Sequence, residues 1–278
     1  MMLALIDGDP TQQALSVFDG AVLRGDGCFE AIRSYRGRPF AFEEHYARLT
    51  RSAAALRLEV PPAQLLESWV EACARDGGDC IVRVVVTRGG SVPGAEDPSR
   101  CVVLGHSLPM VNSPLHLLPV AAPWHPGGED WELAGVKSIS YAANQAASRQ
   151  AHEAGADDAL LFSREGHVLE GPTFSVAWVI DGAVETPALD LGILESITRG
   201  FVIDDCRRLG IPIREGRFPL QRLLAATEVM ALSTVKEVAR VGRVGTEPYP
   251  GGEVTGRLQA AFAERVQETA AEQASTGS

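Results

Sequence analysis

"KSISYAANQAASRQAHEAGADDALLFSREGHVLEG", residues 137–171, is the stretch on which the fold turns. It opens on Lys137, and the only other lysine in the chain is Lys236. A helical pattern follows from Tyr141 and is closed by Gly155, which suits the left-handed turn after a helix. The apolar run "DALLFS" then reads as a strand, and Glu170 follows at the end of "HVLE", before Gly171 and Pro172. A lone lysine and a strand-end carboxylate, separated by one helix and one strand, frame the rest of the reading.

Working outward, the first half of the chain alternates strand and helix. Upstream, "CFEAIRSYRGRPFAF" predicts a hairpin around "RGRP", and "EEHYARLTRSAAALRL" an amphipathic helix with Tyr46, Leu49, Ala53 and Leu56 on one face. "PPAQLLESWVEACARD" predicts a second helix with prolines at its start, and "CIVRVVVTRGG" and "SRCVVLGHSL" two β-branched strands. Prolines, glycines and tryptophans crowd residues 109–130. A linker at 119–130 is expected there, between a small domain at 1–118 and a larger one at 131–278.

Downstream, "DALLFS", "HVLEG", "SVAWVID" and "AVETP" predict four strands in an antiparallel meander. "ESITRGFVIDDCRRLG" predicts a helix, "PIREGRF" and "EVMALST" two strands, and "VTGRLQAAFAERVQETA" a last helix before a disordered "EQASTGS". The expected class is α/β (α+β).

The chain has 278 residues, 45% hydrophobic and 22% charged, enough for a substantial core. Its net charge of -11 argues against a partner that presents phosphates along a backbone, so a small-molecule ligand is expected and nucleic acid is not. Cys28, Cys73, Cys80, Cys101 and Cys206 are scattered and odd in number, a pattern of reduced thiols. The histidines lack metal-ligand spacing, so no metal is expected. "MMLALIDGDPTQQ" has no basic segment and reaches Asp7 early, and no apolar run approaches the roughly 20 residues that span a bilayer. A cytoplasmic protein without a membrane segment is the expectation.

A chain that uses arginine almost everywhere keeps a lysine where an amine must lose its proton and attack a carbonyl. Lys137 is therefore a candidate Schiff-base nucleophile. The cofactor that uses such a lysine, pyridoxal 5'-phosphate (PLP), also needs an acid partner for its pyridine nitrogen and anchors for its phosphate. Glu170 can supply the first. At "LGILESITRG" a helix begins near Ser196, so the N–H groups of Ile197 and Thr198 and the Thr198 hydroxyl can meet a dianion. Arg48 adds a cation, and Thr234 in "ALSTVKEVARV" a further hydroxyl. Standing alone each has a plainer reading: solvated lysine, solvated glutamate, ordinary N-cap, exposed arginine, turn threonine. Their joint occurrence in one order is what points to a site.

Taken together, "RGDGCFEAIRSYRGRPFAFEEHYARLTRSA", the opening stretch with its extension "GPTFSV", "TPALDLGILESITR" and "ALSTVKEV" resemble the class IV aminotransferases over nearly the whole chain. These are fold-type IV PLP enzymes that include branched-chain and D-amino acid aminotransferases and aminodeoxychorismate lyases. The resemblance implies a two-domain fold of the D-amino acid aminotransferase type and PLP as cofactor. It implies Lys137 as the Schiff-base lysine and Glu170 as partner of the pyridine nitrogen. Arg48, Ile197, Thr198 and Thr234 would hold the phosphate, Tyr141 would lie near the cofactor, and the enzyme would be a homodimer.

Two positions depart from the family pattern: Ser175 stands where "EGxxxN" has asparagine, and Ser196 replaces the glycine of "GITR". "TRGGSVPGAED" lacks the Arg-x-His pair usual in D-amino acid aminotransferases, and "KSISYAAN" departs from the "KxxxNY" of branched-chain enzymes. The "STVKEVARV" segment favours an aminotransferase acting on a small amino acid and a 2-oxo acid, branched-chain or related. A 4-amino-4-deoxychorismate lyase releasing pyruvate and 4-aminobenzoate is the alternative, and a non-catalytic homologue a second one. Substrate choice rests on loops near Tyr35, Arg88 and Ser91, where spacing is silent.

Overall fold

The structure, a computed structural model, describes residues 2–12, 14–90, 92–94 and 97–276. It is a mixed α/β protein whose chain divides into two compact units. The first comprises Met1–Pro109, Val136–Tyr141 and Thr269–Ser278; the second Met110–Gly135 and Ala142–Glu268.

The first unit carries β1 (Ala4–Ile6), α1 (Gly20–Arg24), β2 (Gly27–Tyr35), β3 (Arg38–Pro39), α2 (Phe42–Ala55), α3 (Ala63–Gly77), β4 (Cys80–Thr87) and β5 (Cys101–Ser107). The expected hairpin, two helices and two β-branched strands are all present. The strands form one antiparallel sheet in the order β1-β5-β4-β2-β3. Side chains alternate between its faces. Cys28 and Ile32 of β2, Val82, Val84 and Val86 of β4 and Val103 of β5 pack with Leu49 and Ala53 of α2 and Leu66 and Val70 of α3 in one core. The intervening residues of β2, among them Phe29 and Arg33, belong to the opposite face.

The second unit contains β6 (Leu115–Ala121), α4 (Ala142–Glu153), β7 (Asp158–Phe162), β8 (Ser175–Ile180), β9 (Ala183–Pro187), α5 (Ile197–Arg208), β10 (Ile213–Gly216), α6 (Leu220–Leu224), β11 (Glu228–Ser233), β12 (Glu237–Val244), β13 (Glu247–Pro248) and α7 (Glu253–Thr276). Its sheet runs β10-β9-β8-β11-β12-β6-β7, with β13 beside β12. The core beneath it includes Trp178, Leu160, Val176, Val229 and Val241.

Several sequence expectations change. The four-strand meander is not formed: β8 and β9 make a hairpin, but β7 lies at the far edge of the sheet, parallel to β6. "HVLEG" is no strand: it makes isolated bridges, Val168 to Phe162 of β7 and His167 to Pro219. The first residues of the expected linker, 119–121, are sheet: they end β6 and pair with β7, and Val120 joins a core cluster. Val136–Tyr141, placed by sequence in the larger domain, clusters with the first unit. At the C-terminus α7 continues through Thr276 into the segment expected to be disordered; Gly277 and Ser278 lie outside the described residues.

All five cysteines are free and buried. Among the described residues no helix is long and apolar enough to cross a membrane, and no cluster of His, Cys, Asp and Glu is disposed to hold a metal.

Candidate active site

In the first unit the segment carrying Lys137 is pinned to the start of β2. Phe29 N donates to the Lys137 carbonyl at 3.0 Å, and Ile139 N to that of Gly27 at 3.0 Å. Lys137 N donates to Ser52 Oγ on α2 at 3.2 Å. Glycine at 27 permits this approach, since a Cβ there would meet the Val86 carbonyl oxygen at 2.5 Å and Ile139 Cδ1 at 2.9 Å. The Lys137 amine lies 4.3 Å from the Phe29 ring centroid. Tyr141 meets the same ring edge-on at 5.6 Å, and the Arg83 guanidinium lies 5.1 Å from it. Phe29 thus gathers a lysine amine, a phenol ring and a guanidinium around one aromatic side chain.

On the helix side of the same sheet, Glu30 is 1% exposed and accepts three hydrogen bonds. Arg48 donates through Nε at 2.7 Å and Nη2 at 2.8 Å, and His45 donates through Nδ1 at 2.7 Å. His45 and Arg48 stand three residues apart on α2, so both reach one carboxylate. Burial alone would raise the Glu30 carboxyl, but Arg48 and then His45 outweigh it and carry it well below the usual range. For His45 burial is the larger effect and lowers its pKa despite the Glu30 charge. The contact is therefore a neutral imidazole donating to a carboxylate, and Arg48 is the cation that balances Glu30.

In the second unit three predicted elements converge on one end of the sheet. The hairpin and the β8–β11 pairing place the start of β8, the end of β9 and the end of β11 together. Glu170 precedes β8, and its carboxylate accepts from Leu194 N at 3.2 and 3.3 Å. Two residues later Ser196 caps α5, its Oγ accepting from Arg199 N at 3.3 Å. Arg199 is buried and ties α5 to the end of β9, donating to Thr186 Oγ1 and the Pro187 carbonyl. Ile197 and Thr198 open the helix, where backbone N–H groups have no acceptor in a preceding turn and the dipole favours an anion. Thr234 follows β11, in the turn that Ser233 steadies by accepting from Lys236 N at 3.0 Å. Glu170, the α5 N-terminus and Thr234 thus share a sheet end.

The chain matches the model of the amino-transferase class IV family over residues 27–244. The chain belongs to this family. It is 32% identical to a putative branched-chain-amino-acid aminotransferase of Methanocaldococcus jannaschii, over 91% of this chain and 92% of that protein. It is 28% identical to an aminodeoxychorismate lyase of Bacillus subtilis, over 91% of this chain and 89% of that one. A fold IV transaminase of Curtobacterium pusillum superposes with a TM-score of 0.81 at 32% identity, covering 92% of this chain and 94% of that one. The class IV chain is accordingly a PLP-dependent enzyme of fold type IV.

Its residues fit the cofactor: a lysine amine, a carboxylate held by one backbone N–H, and a helix N-terminus with hydroxyls are the donor set PLP requires. Sequence reasoning missed Glu30, Phe29, Arg83 and Arg199. Glu30 had a signal, a glutamate in the buried alternation between Cys28 and Ile32. Of the substrate-loop residues, Arg88 is taken up by Asp26, at 3.0 Å, and by the carbonyls of Leu56 and Arg57 that follow α2. Tyr35 packs edge-on to Phe40, and Ser91 lies outside the described residues.

Proposed function

We propose that this class IV enzyme is an aminotransferase acting on a small amino acid and a 2-oxo acid, branched-chain or related. The observation that carries the reading is the Lys137 amine held against Phe29 with the Arg83 guanidinium on the same ring. That arrangement sets a nucleophilic, proton-carrying amine near a fixed cation suited to a substrate carboxylate. The likeness to the M. jannaschii protein over nearly the full length supports the branched-chain side of the reading.

When bound, PLP supplies an electron sink that lets a substrate α-carbon lose its proton. Lys137 would hold the cofactor through its amine and would move the substrate α-proton as general base and acid. Glu170 is assigned to the pyridine nitrogen, where its negative charge keeps the ring protonated. The phosphate is assigned to the N–H groups of Ile197 and Thr198 and to the hydroxyls of Thr198 and Thr234; Arg48, whose charge Glu30 takes up, is assigned to holding that carboxylate. Tyr141, packed on Phe29, is assigned to the cofactor's neighbourhood.

A homodimer fits the exposed apolar side chains around α1, Val17, Phe18, Val22 and Leu23, which a second copy would cover. The five buried free thiols fit a reducing, cytoplasmic setting.

The second reading, a 4-amino-4-deoxychorismate lyase, is favoured by the B. subtilis relative. Single-turnover spectroscopy of PLP-loaded protein with L-branched-chain amino acids, D-alanine and aminodeoxychorismate separates the two. Conversion of the cofactor to its amine form by an L-branched-chain amino acid is the expected result. Release of pyruvate and 4-aminobenzoate from aminodeoxychorismate, without that conversion, selects the lyase.

A further inference from the structure

We infer that His125 is a positioning residue for Glu170, holding one carboxylate oxygen so that its charge faces the cofactor nitrogen; this rests on the assignment of Glu170 above. His125 Nε2 lies 3.9 Å from Glu170 Oε1, and both side chains are largely buried, 11% and 17% exposed. The other ring nitrogen is already committed, because Gly127 N donates to His125 Nδ1 at 3.2 Å. A nitrogen that accepts carries no proton, so the neutral imidazole has its N–H on Nε2, the nitrogen beside Glu170.

The Gly127 turn therefore fixes the tautomer, and the tautomer supplies a donor. It joins Leu194 N, which already donates to this carboxylate from the opposite strand of chain. At 3.9 Å the contact is longer than a hydrogen bond, and a shift of about 1 Å brings Nε2–H within bonding range of the carboxylate. Its chemical sense is specific. A neutral donor holds the carboxylate in place and leaves its full negative charge for the ring nitrogen, where an arginine would offset it.

His125 also lines an open cleft with Pro123, Trp124, Pro126, Trp131 and Arg164.

The test uses the full-length protein loaded with PLP, the variants His125→Phe, His125→Gln and Glu170→Gln, and the analogue of PLP whose ring nitrogen is replaced by carbon. His125→Phe is expected to loosen PLP about tenfold in equilibrium dialysis, the loss of a hydrogen bond to a charged group, and to shift the pH dependence of the visible band. His125→Gln, whose amide N–H reaches a similar point, restores most of the affinity. The carbon analogue, which has no nitrogen for Glu170 to serve, binds wild type and His125→Phe equally.

Equal loosening of PLP and of the analogue by His125→Phe reduces His125 to packing and overturns the inference. So does an unchanged His125→Phe beside an altered Glu170→Gln. An unchanged Glu170→Gln overturns the Glu170 assignment, and the inference with it. A 15N spectrum of the protein before loading adds a readout independent of cofactor: an Nδ1-protonated His125 refutes the fixed tautomer.

Discussion

Phe29 holds Lys137 from both ends: its backbone N–H donates to the lysine carbonyl at 3.0 Å, and its ring centre lies 4.3 Å from the lysine amine. The backbone contact fixes where the lysine starts and the ring limits where its amine can go. Lys137→Ala is expected to leave the protein folded and colourless after incubation with PLP, with no cofactor retained through borohydride reduction and mass analysis. Phe29→Leu keeps the backbone bond and removes only the π face, which is worth about 0.5–1 kcal/mol. A fall in kcat of about threefold, at saturating cofactor, is the matching outcome; no change in kcat shows that the ring does not guide the amine.

The buried Glu30, His45 and Arg48 give the first unit a defined response to acid. The folded pKa of His45 lies below its unfolded value, so the unfolded chain takes up the proton first and stability falls as pH drops through about 6.5. Glu30 is shifted down, so its contribution is complete above its unfolded value near about 4.3 and is lost only as pH falls on toward its depressed folded pKa. His45→Gln should therefore flatten the loss of stability between about pH 7 and 5 and leave the steeper loss at lower pH. Urea midpoints measured across that range check this, and parallel curves for the two proteins refute it. Arg48→Met, by leaving Glu30 buried without its cation, should cost about 3 kcal/mol in the unloaded protein.

If the α5 N-terminus and Thr234 hold a phosphate, their loss should be felt only by ligands that have one. Thr198→Val and Thr234→Val are each expected to weaken PLP by about tenfold, near the strength of one hydrogen bond to a charged group. Pyridoxal, which lacks the phosphate, should bind these variants and the wild type alike. Isothermal titration with both compounds decides it, and equal losses for the two would move the phosphate elsewhere.

Burial pushes the thiols of Cys28 and Cys101 up to about 12 and those of Cys73 and Cys206 up to about 11, leaving almost no thiolate near neutral pH. A disulfide reagent should find no fast-reacting thiol in the native protein and all five in denaturant. Rapid labelling of one cysteine under native conditions would place it in an opening segment.

Much of this was legible in the sequence where a pattern is local. The β2–β3 hairpin, α2, α3, α5 and the Ser196 cap follow from alternation, helical spacing and cap chemistry that operate within a dozen residues. The order of strands in the second sheet was not, because β7 is drawn to β6 by a parallel pairing that nothing in the intervening turns specifies. β12 escaped notice for a related reason: "EVARVGRV" interrupts its apolar residues with arginine and glycine, and its pairing with β11 and β6 makes it a strand. Lys137 and Glu170 stood out by rarity and position. Phe29 and His125 did not, since an aromatic in a strand and a histidine in a proline-rich loop acquire meaning only from what lies across from them in space.

The six residues Val136–Tyr141 belong to the first unit, while the chain on both sides of them belongs to the second. No single cut can therefore separate the units, because Lys137 lies between two stretches of the second one. A fragment ending near residue 109 would keep Phe29, Glu30 and Arg48 but lose Lys137. One starting there would carry Lys137 without the ring and the serine that hold it. The enzyme is thus indivisible by sequence at the place where its modules are most distinct. Recombination between relatives would have to exchange that short insert as a third piece to keep lysine and strand matched.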